Sequence, residues 1–192
     1  MSTFHIRRLP HLYAVDKPIF VTGRLQGSLP ANRPFLPAMT SGAAFVAMDR
    51  LLDSESAGPL YLRRPEIAKL VAEAIFYQDG GHYHLHAWVV MSNHVHMLVT
   101  PRVAVSTLMQ SLKRFTAREA NLVLRRTGQV FWQDESYDHL VRDQAEFERI
   151  VSYIEMNPVR AGLVALAEEF RWSSAWPIHD RPAGFQPAPQ NR

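Results

Sequence analysis

Residues 82–100 read HYHLHAWVVMSNHVHMLVT, which is two strand-like runs separated by a short triplet. The triplet Met91-Ser92-Asn93 is compatible with a tight turn, and the runs on both sides contain the β-branched and aromatic residues typical of strands. This pattern predicts a β-hairpin with strands over residues 83–90 and 94–100.

The second strand of this hairpin carries His94 and His96 on either side of Val95. Side chains two residues apart on a strand lie on the same face, about 6.6 Å apart along the chain, so two imidazoles can converge on one metal ion. The chain has nine histidines, and a pair at this spacing also arises by chance or as strand histidines that hydrogen-bond to their neighbours. The pair alone therefore leaves both a metal site and a structural role open.

Hydrophobic patterns on both sides of the hairpin predict further elements. Arg64-Pro65 places a proline at a helix start, and apolar residues follow at helical spacing. Asp143 is a typical N-cap, with Glu146 as its capping-box partner, for a helix that ends near Met156. The other predicted elements are a strand at 20–25, a short helix at 43–52, a long helix from residue 105 and a strand within 131–141.

The order of these elements, βαββαβα, predicts an α+β fold of the ferredoxin-like sandwich type, with helices packed on one face of an antiparallel β-sheet. The length of 192 residues and the hydrophobic content of 47% suit a single domain, expected over residues 1–176. Residues 177–192 are rich in proline and polar residues, so we expect a flexible C-terminal tail there.

The amino-acid composition limits which residues could bind a metal ion and which partners the protein could have. Cysteine is absent, so a metal would be held by histidine, carboxylate or amide oxygen. Only three of the 21 basic residues are lysines; the planar guanidinium of arginine suits phosphate and favours a nucleic-acid partner, although a GC-rich genome gives the same bias. The first residues lack the pattern of a signal peptide, and an apolar run of about 18 residues is missing, so we expect a cytoplasmic protein with no membrane partner.

A tyrosine on the helix after Asp143 is a second candidate functional residue. At about 100° per residue, Tyr153 lies roughly 110° from the centre of the apolar stripe that runs from Phe147 to Ile154. Asn157 is one turn above it and Arg149 one turn below. Without other information, the favoured explanation of Tyr153 is a residue at the edge of the core, with Asn157 as a helix C-cap before a proline.

Residues 131–164 read FWQDESYDHLVRDQAEFERIVSYIEMNPVRAGLV. This segment closely resembles the one that carries the nucleophilic tyrosine in the REP-associated tyrosine transposases, a branch of the single-tyrosine HUH transposases. In that family the histidine pair lies in a strand much like WVVMSNHVHMLV, and the tyrosine lies on a later helix just before Asn-Pro. The matching positions here are His94, His96, Tyr153 and Asn157-Pro158, and the resemblance extends over residues 12–176.

The resemblance implies the same fold and a metal-dependent enzyme that nicks and rejoins single-stranded DNA at palindromic repeats folded into hairpins. Tyr153 would attack the DNA and carry a covalent 5′-phosphate. A phenol has a pKa near 10 and is a weak nucleophile, so it needs a phosphodiester polarised by a metal. We expect His94, His96 and the side-chain oxygen of Asn157 to hold that ion, Mg²⁺ or Mn²⁺.

Further residues are expected around this site. Unpaired bases are held by stacking aromatic rings and by arginine, so the expected DNA-binding residues are Arg114, Arg118, Arg149 and Trp132. If Val90 pairs opposite His94, then His86 and Trp88 share the face of the histidine pair. Tyr137 is the rival nucleophile.

Two other functions fit the same residues. One is a nucleic-acid-binding regulator of the same fold without catalysis, and the other is a metal-dependent phosphoesterase that releases its product by attack of water. The sequence leaves open whether the protein is a monomer or a homodimer.

Overall fold

The computed structural model describes residues 16–29, 41–55 and 57–177. The predicted C-terminal tail, apart from residue 177, lies outside these residues. The strands are β1 (Ile19–Arg24), β2 (Tyr83–Val90), β3 (His94–Pro101) and β4 (Tyr137–Leu140). The helices are α1 (Ser41–Asp53), α2 (Pro65–Gln78), α3 (Val105–Val123), α4 (Gln144–Glu155) and the short α5 (Asn157–Arg160), with single 3-10 turns at Tyr61–Arg63 and Ala167–Glu169.

The four strands form one antiparallel sheet in the order β2-β3-β1-β4. β2 and β3 are the predicted hairpin, and β1 lies against the other edge of β3 with Thr22 opposite His96. The predicted α+β class, with its antiparallel sheet, is therefore confirmed. β4 is shorter than expected, because the first part of the predicted strand contributes only an isolated bridge between Leu25 and Trp132.

Both faces of the sheet are covered. Val21 and Met97 point towards α2 and α3 and belong to the larger core cluster. Phe20 and Leu98, their neighbours in sequence, point the other way and pack with residues of α1 and α4. α2 and α3 cover one face and α1 with α4 covers the other, so the expectation that the helices pack on only one face is wrong. The central strands β1 and β3 carry apolar side chains on both faces, and each face is buried only when a layer of helices covers it.

The register of the hairpin differs from the predicted one. Val90 pairs with Val95 rather than with His94, and an irregularity between Leu85 and Ala87 shifts the earlier pairs. Because Val90 pairs with Val95, Trp88 lies opposite Met97 on the α2 face, away from the histidine pair, so the condition for its predicted placement is not met. The bulge changes the alternation only for the residues before Ala87.

His86 lies within this irregularity and contacts α4 rather than the histidine pair. Its Nε2 is 2.7 Å from Thr100 Oγ1, and its ring packs edge-on against Phe147.

The start of α4 is fixed by a side-chain cap, as predicted. Asp143 accepts a hydrogen bond of 2.7 Å from the main-chain N–H of Glu146. Glu146 does not return a bond to the cap; it is buried and binds Arg142 and His139 instead. This arrangement ties the beginning of α4 to the end of β4 and sets the position at which Tyr153 follows, two turns later.

Candidate metal and tyrosine site

His94 and His96 project from β3 towards the layer formed by α1 and α4. Both side chains are fully buried, and their Nε2 atoms are 3.1 Å apart. The i, i+2 spacing on a strand gives them the same face, as the sequence indicates. The two imidazoles therefore converge on one point.

Neighbouring groups orient both rings. The side-chain amide of Asn93 donates to Leu52 O at 2.9 Å, so its oxygen faces His94 Nδ1 at 2.7 Å. That oxygen only accepts, and His94 must therefore carry its proton on Nδ1 and leave the lone pair on Nε2 free. The ring of His96 is held by Thr22 Oγ1, 2.8 Å from Nδ1, which turns its Nε2 towards His94.

Asp49 of α1 completes a triangle with the two histidines. Its Oδ1 lies 3.0 Å from His96 Nε2 and 3.7 Å from His94 Nε2. Ligand atoms bound to one ion at about 2.0–2.2 Å are separated from one another by roughly 3.0–3.5 Å. Asp49, His94 and His96 are thus spaced as the ligands of a single metal ion.

Two buried oxygen atoms beside this triangle have no hydrogen-bond partner within the described part of the chain: Asp53 Oδ1 and Asn157 Oδ1. Most buried polar atoms in proteins are paired, and unpaired oxygens are costly. A cation would satisfy oxygen atoms that no protein donor reaches. The residues present therefore fit a divalent metal ion.

Protonation states agree with such a donor set. Burial, with the neighbouring His96, lowers the pKa of His94 to about 3, so that its imidazole is neutral. Burial opposes ionisation of Asp49, but His96 and His94 outweigh it and hold the pKa of Asp49 below its ordinary value. Burial and the nearby Asp49 raise the pKa of Asp53 to about 7. Neutral imidazole and ionised carboxylate are the forms that bind metals.

Tyr153 of α4 lies beside this cluster. Its hydroxyl donates a short hydrogen bond to Asp49 Oδ2, the oxygen that faces away from the histidines. Its ring packs against Phe20, Phe45 and His96, with centroid separations of 5.9–6.1 Å. Burial, followed by the charge of Asp49, raises the pKa of Tyr153 above its ordinary value. The phenol is therefore protonated at neutral pH.

Asn157 begins α5 directly beyond α4 and is fully buried. Its Nδ2 donates to Asp49 Oδ2 at 3.3 Å, so Asn157 and Tyr153 meet on the same carboxylate oxygen. The four residues that the sequence singled out, His94, His96, Tyr153 and Asn157, are thus brought together by one residue that it did not.

Asp49 was missed although the sequence carries a signal for it. In the helix around FVAMDRLLD, Asp49 lies four residues after Phe45 and three before Leu52, both of which are buried. An aspartate on the apolar side of a helix is seldom buried unless it is paired. That pattern marks a functional carboxylate, but it does not reveal the partner.

The expected DNA-binding residues are not gathered at this site. Arg114 and Arg118 are exposed on α3, which covers the opposite face of the sheet, and Arg118 pairs with Glu119 at 2.7 Å. Arg149 is exposed on α4. Trp132 is buried, and its Nε1–H donates to Thr116 Oγ1 at 2.8 Å, which indicates packing against α3 rather than base stacking.

Tyr137, the rival nucleophile, lies on β4. Its ring stacks on Phe45 with centroids 4.4 Å apart. Both tyrosines thus flank Phe45, and the hydroxyl of Tyr153 donates a hydrogen bond to Asp49.

Comparisons with known proteins found a matching family and a similar solved structure. The description of the matching family is IS200-like transposase, and its model matches residues 64–157, which include both histidines, Tyr153 and Asn157. Among solved structures, a REP-associated tyrosine transposase bound to a REP hairpin superimposes with a TM-score of 0.57 and 18% sequence identity, covering 91% of this chain and 82% of that one. This likeness establishes the fold.

No curated protein matches the chain significantly. Within the described residues, none of the helices combines the length and apolar character needed to cross a bilayer.

Proposed function

Residues 64–157 match the model of the IS200-like transposase family, and on that ground we propose that the chain is a transposase of this kind, which nicks and rejoins single-stranded DNA through a covalent bond between Tyr153 and a 5′-phosphate. One observation carries this proposal. The two oxygens of Asp49 face two partners, Oδ1 towards the histidine pair and Oδ2 towards the hydroxyl of Tyr153. A metal-binding group and a nucleophile are thus joined by a single side chain.

The metal ligands in this proposal are the Nε2 atoms of His94 and His96, Asp49 Oδ1 and the unpaired Asn157 Oδ1. This set adds a carboxylate to the two histidines and the amide expected from the sequence. Mixed imidazole and oxygen ligation suits Mn²⁺ and is tolerated less well by Mg²⁺. When bound, the ion would polarise the phosphodiester and stabilise the charge that develops on it.

The chain's own groups account for the rest of the reaction. Tyr153 Oη forms a bond to phosphorus, the bond from phosphorus to the 3′-oxygen breaks, and that oxygen takes up a proton from solvent and leaves as a 3′-hydroxyl. Asp49 Oδ2 accepts the hydrogen bond from the phenol and so orients its oxygen, and solvent takes up the phenolic proton as the bond to phosphorus forms. The phosphotyrosine keeps the energy of the phosphodiester, so a 3′-hydroxyl rejoins the strand by the reverse steps without ATP.

For the substrate we propose single-stranded DNA next to a palindromic hairpin. The similar solved transposase is bound to a REP hairpin. The excess of arginine over lysine and the formal charge of +3 also favour a nucleic-acid partner.

The polarity of cleavage tests this proposal against its alternatives. An oligonucleotide containing a palindromic repeat from beside the gene, with single-stranded flanks, is labelled at either end and incubated with Mn²⁺. We expect the protein on the 5′-phosphate of one fragment and a free 3′-hydroxyl on the other, while the fully complementary duplex stays intact. Two protein-free products would indicate a phosphoesterase. Tight hairpin binding without cleavage would indicate a regulator, and a 3′-linked adduct would contradict the mechanism.

Substitution of Asp49 tests whether this residue is a metal ligand. Asp49→Asn keeps the size of the side chain but removes its charge, so we expect Mn²⁺ affinity, measured by calorimetry, to fall by at least about tenfold, and adduct formation to fall with it. Asp134→Asn, an exposed aspartate on the other side of the sheet, is the matched control and should bind Mn²⁺ like the unmodified protein. Equal affinity in the Asp49 variant would remove this residue from the ligand set.

A further inference from the structure

Arg160, the last residue of α5, is held against the face of Tyr153. Its guanidinium carbon lies 4.0 Å from the centroid of the tyrosine ring. Its Nη2 also donates to the main-chain oxygen of Tyr153 at 2.7 Å. The side chain is nevertheless exposed, so this cation lies between the proposed nucleophile and solvent. The arrangement keeps a positive charge beside the atom that would receive the phosphate.

The same residues line an open cavity of about 680 Å³. Tyr153 contributes to its wall together with Asp49 and Asp53 of α1. Arg50 of α1 and Arg160 of α5 line it as well, and both are exposed, whereas Asp49 is buried. The carboxylates of the cavity thus lie on the side of the histidine pair, and its guanidinium groups lie on the side of solvent.

This distribution of charge suits a phosphodiester. Carboxylates alone would repel it, but a cation bound between Asp49 and the histidines compensates that charge. On the outer side, a guanidinium offers several N–H donors in a planar fork that matches two phosphate oxygens. One donor of Arg160 is used by the main chain of Tyr153, and the fork has others.

We propose that Arg160, together with Arg50 on the α1 side of the same cavity, binds the backbone phosphate of single-stranded DNA that lies next to the Tyr153 hydroxyl. This inference rests on the proposed function, since it places the reacting phosphate between the metal ligands and Arg160. Arg160 also positions the tyrosine, because its contact with the ring and its bond to the main chain fix one face of the side chain.

Substitution of Arg160 tests this role in the full chain. With the hairpin oligonucleotide and Mn²⁺, we expect Arg160→Ala to slow formation of the covalent adduct about 100-fold, the size of effect seen when one donor to a reacting oxyanion is removed. Arg160→Lys keeps the charge but loses the planar fork, so its rate of adduct formation should lie between those of the unmodified protein and of Arg160→Ala. Added guanidinium ion should partly restore the rate of the alanine variant. The matched control is Arg171→Ala, which removes another guanidinium from aromatic rings, those of Trp172 and Trp176. It should react at the unmodified rate.

A second measurement does not depend on catalysis. Phenylglyoxal modifies exposed arginines, and mass spectrometry locates the modified residues. In the presence of Mn²⁺, inorganic phosphate at low concentration should protect Arg160 and Arg50 but leave Arg171 reactive. An adduct that forms at the normal rate in Arg160→Ala would overturn the inference while leaving the proposed function intact. If the unmodified protein forms no adduct, the proposed function fails, and the protection pattern decides the phosphate site: selective protection supports it, and equal modification of all three arginines overturns it.

Discussion

Replacing Tyr153 with phenylalanine is expected to lower the rates of cleavage and of covalent adduct formation by more than about 10⁴-fold, because the only atom lost is the attacking oxygen. Folding should change little. The ring keeps its contacts with Phe20, Phe45 and His96, and Asp49 Oδ2 keeps the hydrogen bond from Asn157. The lost hydrogen bond to the ionised Asp49 corresponds to about 1.5–3 kcal/mol of unfolding free energy. A denaturing gel measures the adduct, and thermal unfolding measures the stability.

The matched control is Tyr137→Phe, because Tyr137 also packs against Phe45 but lies on β4. It should form adduct at the normal rate. Cleavage that persists in Tyr153→Phe, with an adduct that maps to Tyr137, would transfer the role of nucleophile to β4. Cleavage that persists without any adduct would exclude the covalent mechanism altogether.

The second large effect that we expect is a loss of metal binding and of cleavage when either histidine of the pair is removed. His94→Ala and His96→Ala each delete one of two imidazole ligands, so Mn²⁺ affinity should fall by more than about 100-fold and metal-dependent cleavage should be lost. Both side chains are fully buried, and truncation also leaves a cavity. Gln replacements, which fill more of the space, separate the loss of a ligand from the loss of packing.

His84→Ala serves as the control for the histidine variants, because His84 is a partly exposed β2 histidine whose ring packs against that of His86. Calorimetry with Mn²⁺ and circular dichroism of each variant give affinity and folding separately. If both His94→Ala and His96→Ala fold and bind Mn²⁺ like the unmodified protein, the pair is structural and the metal site is refuted.

Local pattern was sufficient for much of the fold. The hairpin, the proline that starts α2 and the cap at Asp143 all depend on residues within a few positions of one another. The pairing of His94 with His96 is local for the same reason, since a strand repeats every two residues. Tyr153 and Asn157 are four residues apart, and helical periodicity alone predicted that they share a ridge.

Features that depend on contacts between distant segments of the chain could not be predicted from local sequence patterns. The register of β2 against β3 pairs Val90 with Val95 and Trp88 with Met97, and this register decides that Trp88 faces α2. The covering of both sheet faces follows from how four helices, far apart in sequence, divide between them. Periodicity identifies a buried side of each element but does not say which other element covers it.

The sequence by itself thus determined the α+β class, the hairpin and the residues that the family resemblance marks, because each depends on short-range spacing. Only the tertiary structure brought Asp49 to the histidine pair, 45 positions before His94, and placed Arg160 over the ring of Tyr153. The physical reason is that a buried carboxylate and a stacked guanidinium acquire their partners through packing of α1, α4 and α5 on one sheet face. No local pattern contains that packing.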